Sequence, residues 1–315
     1  MIGILSYLVF FVSIASILAI AVLGLNLQWG NTGLFNGGVV AFFGAGAYGT
    51  LLLGGTPQPD HIGGFELFYP LALLGGACAA ALLAWFVGKL TLHLRHDYLA
   101  IATFGVAVTF ENIMRNAEGF SGGAKGLRGF ERPLENWVSN GFTYNLAFLT
   151  CIAVILICTY FFLERVVQSP FGRLLRAIRE DEVAARSLGK NPDRIRLIAF
   201  VTGSFIVGVS GGLYATFYAF VSPQDVLPTL TFQIWAMLIV GGAGNNRGAI
   251  IGTFLIWGAW TTSGWSLSRF APVEIQIYGG TLQYIMIGLV IVGMLLWKPQ
   301  GLFPEKLVMS NSGKK

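Results

Sequence analysis

Charge is what this chain has least of. Only 11% of its 315 residues are charged, against roughly a quarter in soluble domains. No charged side chain occurs before Asp60. With a mean hydropathy of +0.68, that scarcity excludes an ordinary soluble domain. Cysteine is scarce too: Cys78, Cys151 and Cys158 sit inside apolar runs without ligand spacing, so they are expected to be packed thiols rather than a disulfide framework or metal site. A phosphate-binding loop is missing, because Gly88-Lys89 and Gly189-Lys190 lack both the upstream glycine and the following Ser or Thr. No nucleophile or metal-ligand constellation occurs, which argues against an enzyme and against any cofactor. The centres of the apolar runs also lack carboxylates of the kind used for proton or sodium coupling.

What is present is a series of uncharged runs: 1–59, 67–88, 98–110, 136–163, 197–224, 226–246, 248–268 and 275–297. Several exceed the ~20 apolar residues that cross a hydrocarbon core. They are continuous rather than alternating, which excludes a β-barrel. The expectation is an all-α polytopic membrane protein, a single domain over 1–315. It has about 8–10 transmembrane helices, some of them broken or re-entrant. The first run has no Lys or Arg before it and no cleavage site, so it reads as a retained span. The net charge of +5 lies in short loops beside the runs, where it sets orientation and does not suggest nucleic acid.

The charge that exists is concentrated. Residues 164–196 hold 13 of the 35 charged side chains, eight basic and five acidic. At about 2.5–3.5 kcal/mol per charge at a bilayer centre, this island must lie in water. Ser169-Pro170 reads as an N-cap followed by proline at the first helical position. Leu174, Ile178, Ala185 and Leu188 are expected on one helical side, Gly189 supplies a left-handed stop, and Asp193 is expected to cap the next helix. The plainer reading of the island is a basic loop that only fixes topology.

Two stretches break the apolar pattern with glycine and amides. Residues 24–53 contain Asn26, Gln28, Asn31, Thr32 and Asn36, with Gly33-xxx-Gly37 and Gly44, Gly46 and Gly49 as flat packing surfaces. The run 232–262 is interrupted by GGAGNNRG at 241–248, and each half is expected to be too short to span. Placing the island and the basic tail (Lys298, Lys306, Lys314, Lys315) on the cytoplasmic side makes both stretches matching broken elements and puts the N-terminus on that side too. Paired interruptions of this kind point to a pathway at mid-membrane. Glu111 and Arg115, at i and i+4, are expected to pair.

The ordered segments GNTGLFNGGVVAFFGAGAY, HDYLAIATFGVAVTFENIMRN, SGGAKGL, SPFGRLLRAIREDEVAARSLGKNPDRIRLIAF, SGGLYATFYAFVSP, VGGAGNNRGAIIGTFLIWG and KPQGLFPE resemble the LivM-like permease subunits of ABC importers for branched-chain and other hydrophobic amino acids. The resemblance covers nearly the whole chain. It implies an ABC importer permease fold in the bacterial plasma (inner) membrane. Its partners would be a second, LivH-like permease, two cytoplasmic ATPases and a periplasmic or lipid-anchored solute-binding protein. The island resembles the EAA-type coupling loop, so ATPase coupling is expected from Arg176, Glu180, Asp181, Glu182, Ala185 and Gly189. The pathway is expected at Asn31, Thr32, Asn36, Asn245 and Asn246, with Thr103 and Asn112 behind them. For each amide the plainer reading is a helix–helix hydrogen bond worth about 0.6 kcal/mol. A urea or short-amide importer resembles the same family, and an ion-coupled transporter working alone is the reading from another class.

Overall fold

The computed structural model describes residues 2–57, 62–94, 96–128, 133, 141–270, 272 and 276–305. Asp60, His61, Arg95, Lys306, Lys314 and Lys315, and the side chain of His96, lie outside them. Among the described residues the fold is helical, with a single β-bridge between Leu127 and Val221. The long elements are α1 (Ile2–Gln28), α2 (Val39–Gly54), α3 (Tyr69–Thr91), α4 (His96–Asn116), α6 (Gly141–Gln168), α9 (Pro192–Tyr218), α10 (Pro228–Gly241), α11 (Asn246–Phe270) and α12 (Gly279–Trp297). Short helices α5 (Glu118–Ser121), α7 (Pro170–Glu180) and α8 (Glu182–Ser187) lie between them.

Helices α1, α3, α6, α9 and α12 are long and apolar enough to cross a membrane. Helices α4 and α11 have the length but carry more polar side chains. At 14 residues, α10 reaches only ~21 Å, short of the ~30 Å hydrocarbon core; α2, with 16, is also short. The expected break at 241–248 is therefore real, but only its first half is too short. Helix α11 runs 25 residues, ~37 Å.

Helix α9 is the axis, with α1, α2 and α3 packed around it. Glycine makes the approach close. A Cβ on Gly46 would strike the backbone of Gly208, and one on Gly211 would strike the carbonyl of Phe43, so α2 and α9 touch backbone to backbone. The pair Gly33 and Gly37 lies in the loop between α1 and α2, where Gly33 has φ +70; of the two, Gly37 makes the close approach, since a Cβ there would come within 2.8 Å of Ala100 O on α4.

Contacts along α9 give each neighbour its direction. Phe10 of α1 packs on Phe217 and Tyr218, whereas Gln28 reaches Phe200 and Ser204. So α1 runs antiparallel to α9, and Ile2 lies at the end opposite the 164–196 island. This overturns the parity expectation for the N-terminus. The reason is that α1 is one unbroken helix through Gln28 and α2 returns alone to the starting end, where a broken element entering and leaving by one face, or crossing twice, had been expected. At the other terminus, Leu302 N and Phe303 N bond to Val240 O (2.9 Å) and Gly241 O (3.0 Å), placing the chain after α12 at the island end.

The three cysteines are free but exposed on the outer faces of α3 and α6, not packed inside. Their neighbours in sequence are apolar because those faces are built for lipid or a partner, not for the core. Glu111 and Arg115 do pair, at 2.8 Å.

Candidate functional site

The island folds as two short helices separated by a cap. Ser169 Oγ accepts from Gly172 N (3.4 Å) and Pro170 opens α7. Asp181 ends α7 in an extended conformation and caps α8, accepting from Ala184 N at 2.9 Å. Gly189 then turns the chain at φ +74. The next helix is capped by Asn191, which accepts from Arg194 N (3.1 Å), not by Asp193. Because Pro192 takes the first helical position, the cap falls one residue before it, and Asp193 instead reaches Arg186 (3.4 Å).

Burial splits the six expected coupling residues. Ala185 is buried and Arg176 half-buried, whereas Glu180, Asp181 and Gly189 face outward. Glu182 is held by Arg186 (2.9 Å) and the largely buried Arg196 (2.5 Å), which pins α8 to the start of α9. Ile178 turns inward as expected, but Leu188 does not. Val183 and Leu188 are 75% and 79% exposed. They form an apolar tip on α8, beside the outward-facing Asp181, Arg186 and Lys190.

The two interruptions meet beside this element. Asn26, fully buried near the end of α1, donates from Nδ2 to Asn246 Oδ1 (2.9 Å) and accepts at Oδ1 from Gly244 N (2.8 Å). Asn246 donates onward to Glu164 Oε2 (3.1 Å) on α6. Gln28 is likewise engaged at both ends. It donates to Phe200 O and Ser204 Oγ (2.9 Å each) and accepts from Asn36 Nδ2 (2.8 Å).

A helix that starts inside a protein must still satisfy its first N–H groups, and α2 starts without a cap of its own. Gly38 N bonds to Asn36 Oδ1 (2.9 Å), Gly37 N to Thr103 Oγ1 of α4 (2.9 Å) and Val40 N to Thr231 Oγ1 of α10 (3.2 Å). Asn36 also accepts, through its carbonyl, from Trp235 Nε1 (2.9 Å). Thr32 donates to Gln28 O and Asn31 to Asn26 O (3.2 Å), whereas the buried Oδ1 of Asn31 has no partner. Asn245 caps α11, accepting from Arg247 N (3.0 Å) and Gly248 N (3.2 Å).

Six of the seven expected pathway residues thus gather around one junction, mainly as the groups that hold its backbone. Asn112 does not. It is exposed near the far end of α4; its side chain donates to Val108 O, one turn back (2.8 Å), and its carbonyl accepts from Asn116 Nδ2 (2.7 Å). Sequence reasoning passed over Asn26 and Gln28 as site residues, although two amides inside an apolar helix are a usable signal. Arg179 and Glu305 offered none. Each stood only as one residue of a longer sequence segment, yet they bond to each other at 2.8 Å and Arg179 also donates to Gly30 O.

A cavity of about 500 Å³ opens at the junction, lined by Trp29, Gly30, Gly33, Phe35, Asp97, Ala100, Arg179 and Ala243. Phe35 stacks on Trp235 with centroids 4.3 Å apart, giving it an aromatic wall. A second, of about 360 Å³, lies between α6, α7 and the second interruption, and includes Arg176, Asn245, Asn246 and Glu305.

Residues 7–295 match the family model for the permease component of branched-chain amino acid transport systems. The chain belongs to that permease family. It is 32% identical over 303 residues to the high-affinity branched-chain amino acid transport system permease protein LivM of Salmonella typhimurium, an alignment covering 90% of this chain and 66% of that protein. It is 25% identical over 340 residues to the probable LivM of Methanocaldococcus jannaschii, covering 93% and 92%. Similarity extends to the LivH permease of Escherichia coli K12, at 24% over 257 residues, 78% of this chain and 81% of that one. Membership of this permease family and the apolar helices make the chain a multi-pass membrane protein.

Proposed function

We propose that this chain is one membrane-spanning subunit of an ATP-driven importer for branched-chain or other neutral, hydrophobic amino acids. The observation that carries the reading is the family match over 7–295, with relatives named for branched-chain amino acid transport that align over 90% and 93% of this chain. A LivH-like second permease would complete the pathway. A solute-binding protein would deliver substrate at the Ile2 end. Two ATPases would dock from the cytoplasm, which places the island and the C-terminal tail on that side of a bacterial plasma membrane.

The apolar tip of α8 supports the docking step, because two large exposed apolar side chains among charges suit a soluble partner better than they suit water. Closure of the ATPases would press on Val183 and Leu188. The Glu182–Arg196 pair passes that push to the N-terminal end of α9, around which the bundle is built. The junction cavity, with aromatic walls and both a carboxylate and a guanidinium on its lining, is the inner mouth of the pathway in this reading.

The test is uptake of labelled leucine against labelled urea in a strain lacking the native permease. ATP-dependent leucine uptake restored by this chain with its partner subunits is the expected result, and uptake of urea alone refutes the substrate assignment. Glu182→Lys sets three cations together at the base of α8. It is expected to leave membrane insertion intact while reducing ATPase co-purification and uptake at least tenfold.

A further inference from the structure

The eight residues after α12 form a strap, and its anchor joins the island to both interruptions. Gly301 turns the chain back at φ +76. Leu302 and Phe303 then donate to the last carbonyls of α10, taking up acceptors that a helix C-terminus leaves unpaired. Pro304 O accepts from Asn245 Nδ2 (3.2 Å), the cap of α11. The strap therefore closes over the second interruption from end to end.

At Glu305, the last described residue, the carboxylate takes Arg179 Nη2 at 2.8 Å and stands 3.9 Å from Arg176, both on α7. Arg179 is the more central of the two. Its Nη1 donates to Gly30 O in the first interruption, and its Cγ lies against Gly33, about as close as a Cβ there would tolerate. One guanidinium thus bonds the first interruption and the strap of the second while riding on the helix next to α8. The pair is partly buried, with side-chain exposures of 26% and 19%, so water screens it less than a surface ion pair. Arginine suits this position because its planar fork offers separate N–H groups to two acceptors, which an ammonium on a flexible stem does not hold in fixed geometry.

We propose that Arg179 and Glu305 are positioning residues for transport, the link through which movement of α7 and α8 reaches the two interruptions. The inference rests on the ATPase docking proposed above. It adds that the push divides, one branch entering α9 through Glu182 and the other entering the junction through Arg179. With the second branch cut, the ATPases still bind and turn over, but the inner mouth no longer follows them.

The experiment uses the complete importer in proteoliposomes, reading ATPase retention, ATP hydrolysis and leucine uptake together. Arg179→Ala and Glu305→Ala are each expected to keep the ATPases and their hydrolysis within twofold of the native complex while uptake per ATP falls at least tenfold. Glu305→Asp, which keeps a carboxylate for Arg179 and leaves the Arg179 bond to Gly30 O in place, is expected to recover at least a third of the native ratio. A native ratio in Arg179→Ala, or a Glu305→Asp variant no better than Glu305→Ala, overturns the link. The docking reading has a separate arm: Val183→Asp with Leu188→Asp is expected to release the ATPases. If it retains them, the docking site is wrong and the link, which depends on it, falls too.

Discussion

The interruption between α1 and α2 runs ten residues and is mostly buried, whereas that between α10 and α11 runs four and is half open. Both are rich in glycine and asparagine, yet their backbones are satisfied from different places. The first draws its partners from five neighbouring helices: Gln28 of α1, Thr103 of α4, Arg179 of α7, Thr231 of α10 and Ser204 of α9, the last through Gln28. The second relies on its own cap, Asn245, and on the strap after α12. Asn26 bonds to both directly, and Arg179 bonds to the first while holding the strap of the second through Glu305. A buried break held by many elements behaves as a fixed hinge point, because moving it leaves donors unpaired in a dry interior. A half-open break held by a strap can be released with fewer losses. The comparison assigns the mobile role to Gly242–Asn245 and the fixed role to Trp29–Gly38.

Asn26→Leu should break the comparison most severely. It removes the partners of the Gly244 N–H and of the oxygen of the buried Asn246, at about 1–3 kcal/mol for each group left unsatisfied. The largest fall in unfolding temperature is expected here, followed through the fluorescence of Trp29 and Trp235 in detergent. A fall no larger than that of a surface variant contradicts the joint role of Asn26.

Asn245→Ala removes a cap at the half-open break, where water can take its place. A cost of about 0.5–2 kcal/mol is expected, with the ATP-driven uptake rate changed more than the unfolding temperature. Equal sensitivity at both breaks erases the distinction between fixed and mobile.

Asn112→Ala should be the mildest, within about 0.5 kcal/mol of native and with unchanged uptake, because its exposed side chain hydrogen-bonds within its own helix. A clear uptake defect returns Asn112 to the pathway.

The features legible in the residue order are those whose partners lie within four positions: the Ser169 cap, the left-handed Gly189, the Glu111–Arg115 pair and the stop at Gly241. The amphipathic reading of the island succeeded for Ile178 and Ala185 and failed for Leu188, since a helix that ends at Ser187 imposes no face on the residue after it. What could not be read are contacts between distant positions. Asn26 meets Asn246 across 220 residues and Arg179 meets Glu305 across 126. A hydrophobic pattern records which residues avoid water but not which buried amide finds which. The parity argument misplaced the N-terminus for a related reason. Asn26 and Gln28 read as the start of a broken element, whereas their partners on α9 and α11 keep α1 helical to its end.

The most direct test of the whole account is solute accumulation in proteoliposomes holding either this chain alone or the chain with the second permease, the ATPases and the binding protein. The account predicts ATP-dependent leucine accumulation with the full set and none with the chain alone, whatever ion gradient is applied. Accumulation by the isolated chain, driven by a proton or sodium gradient, would contradict it.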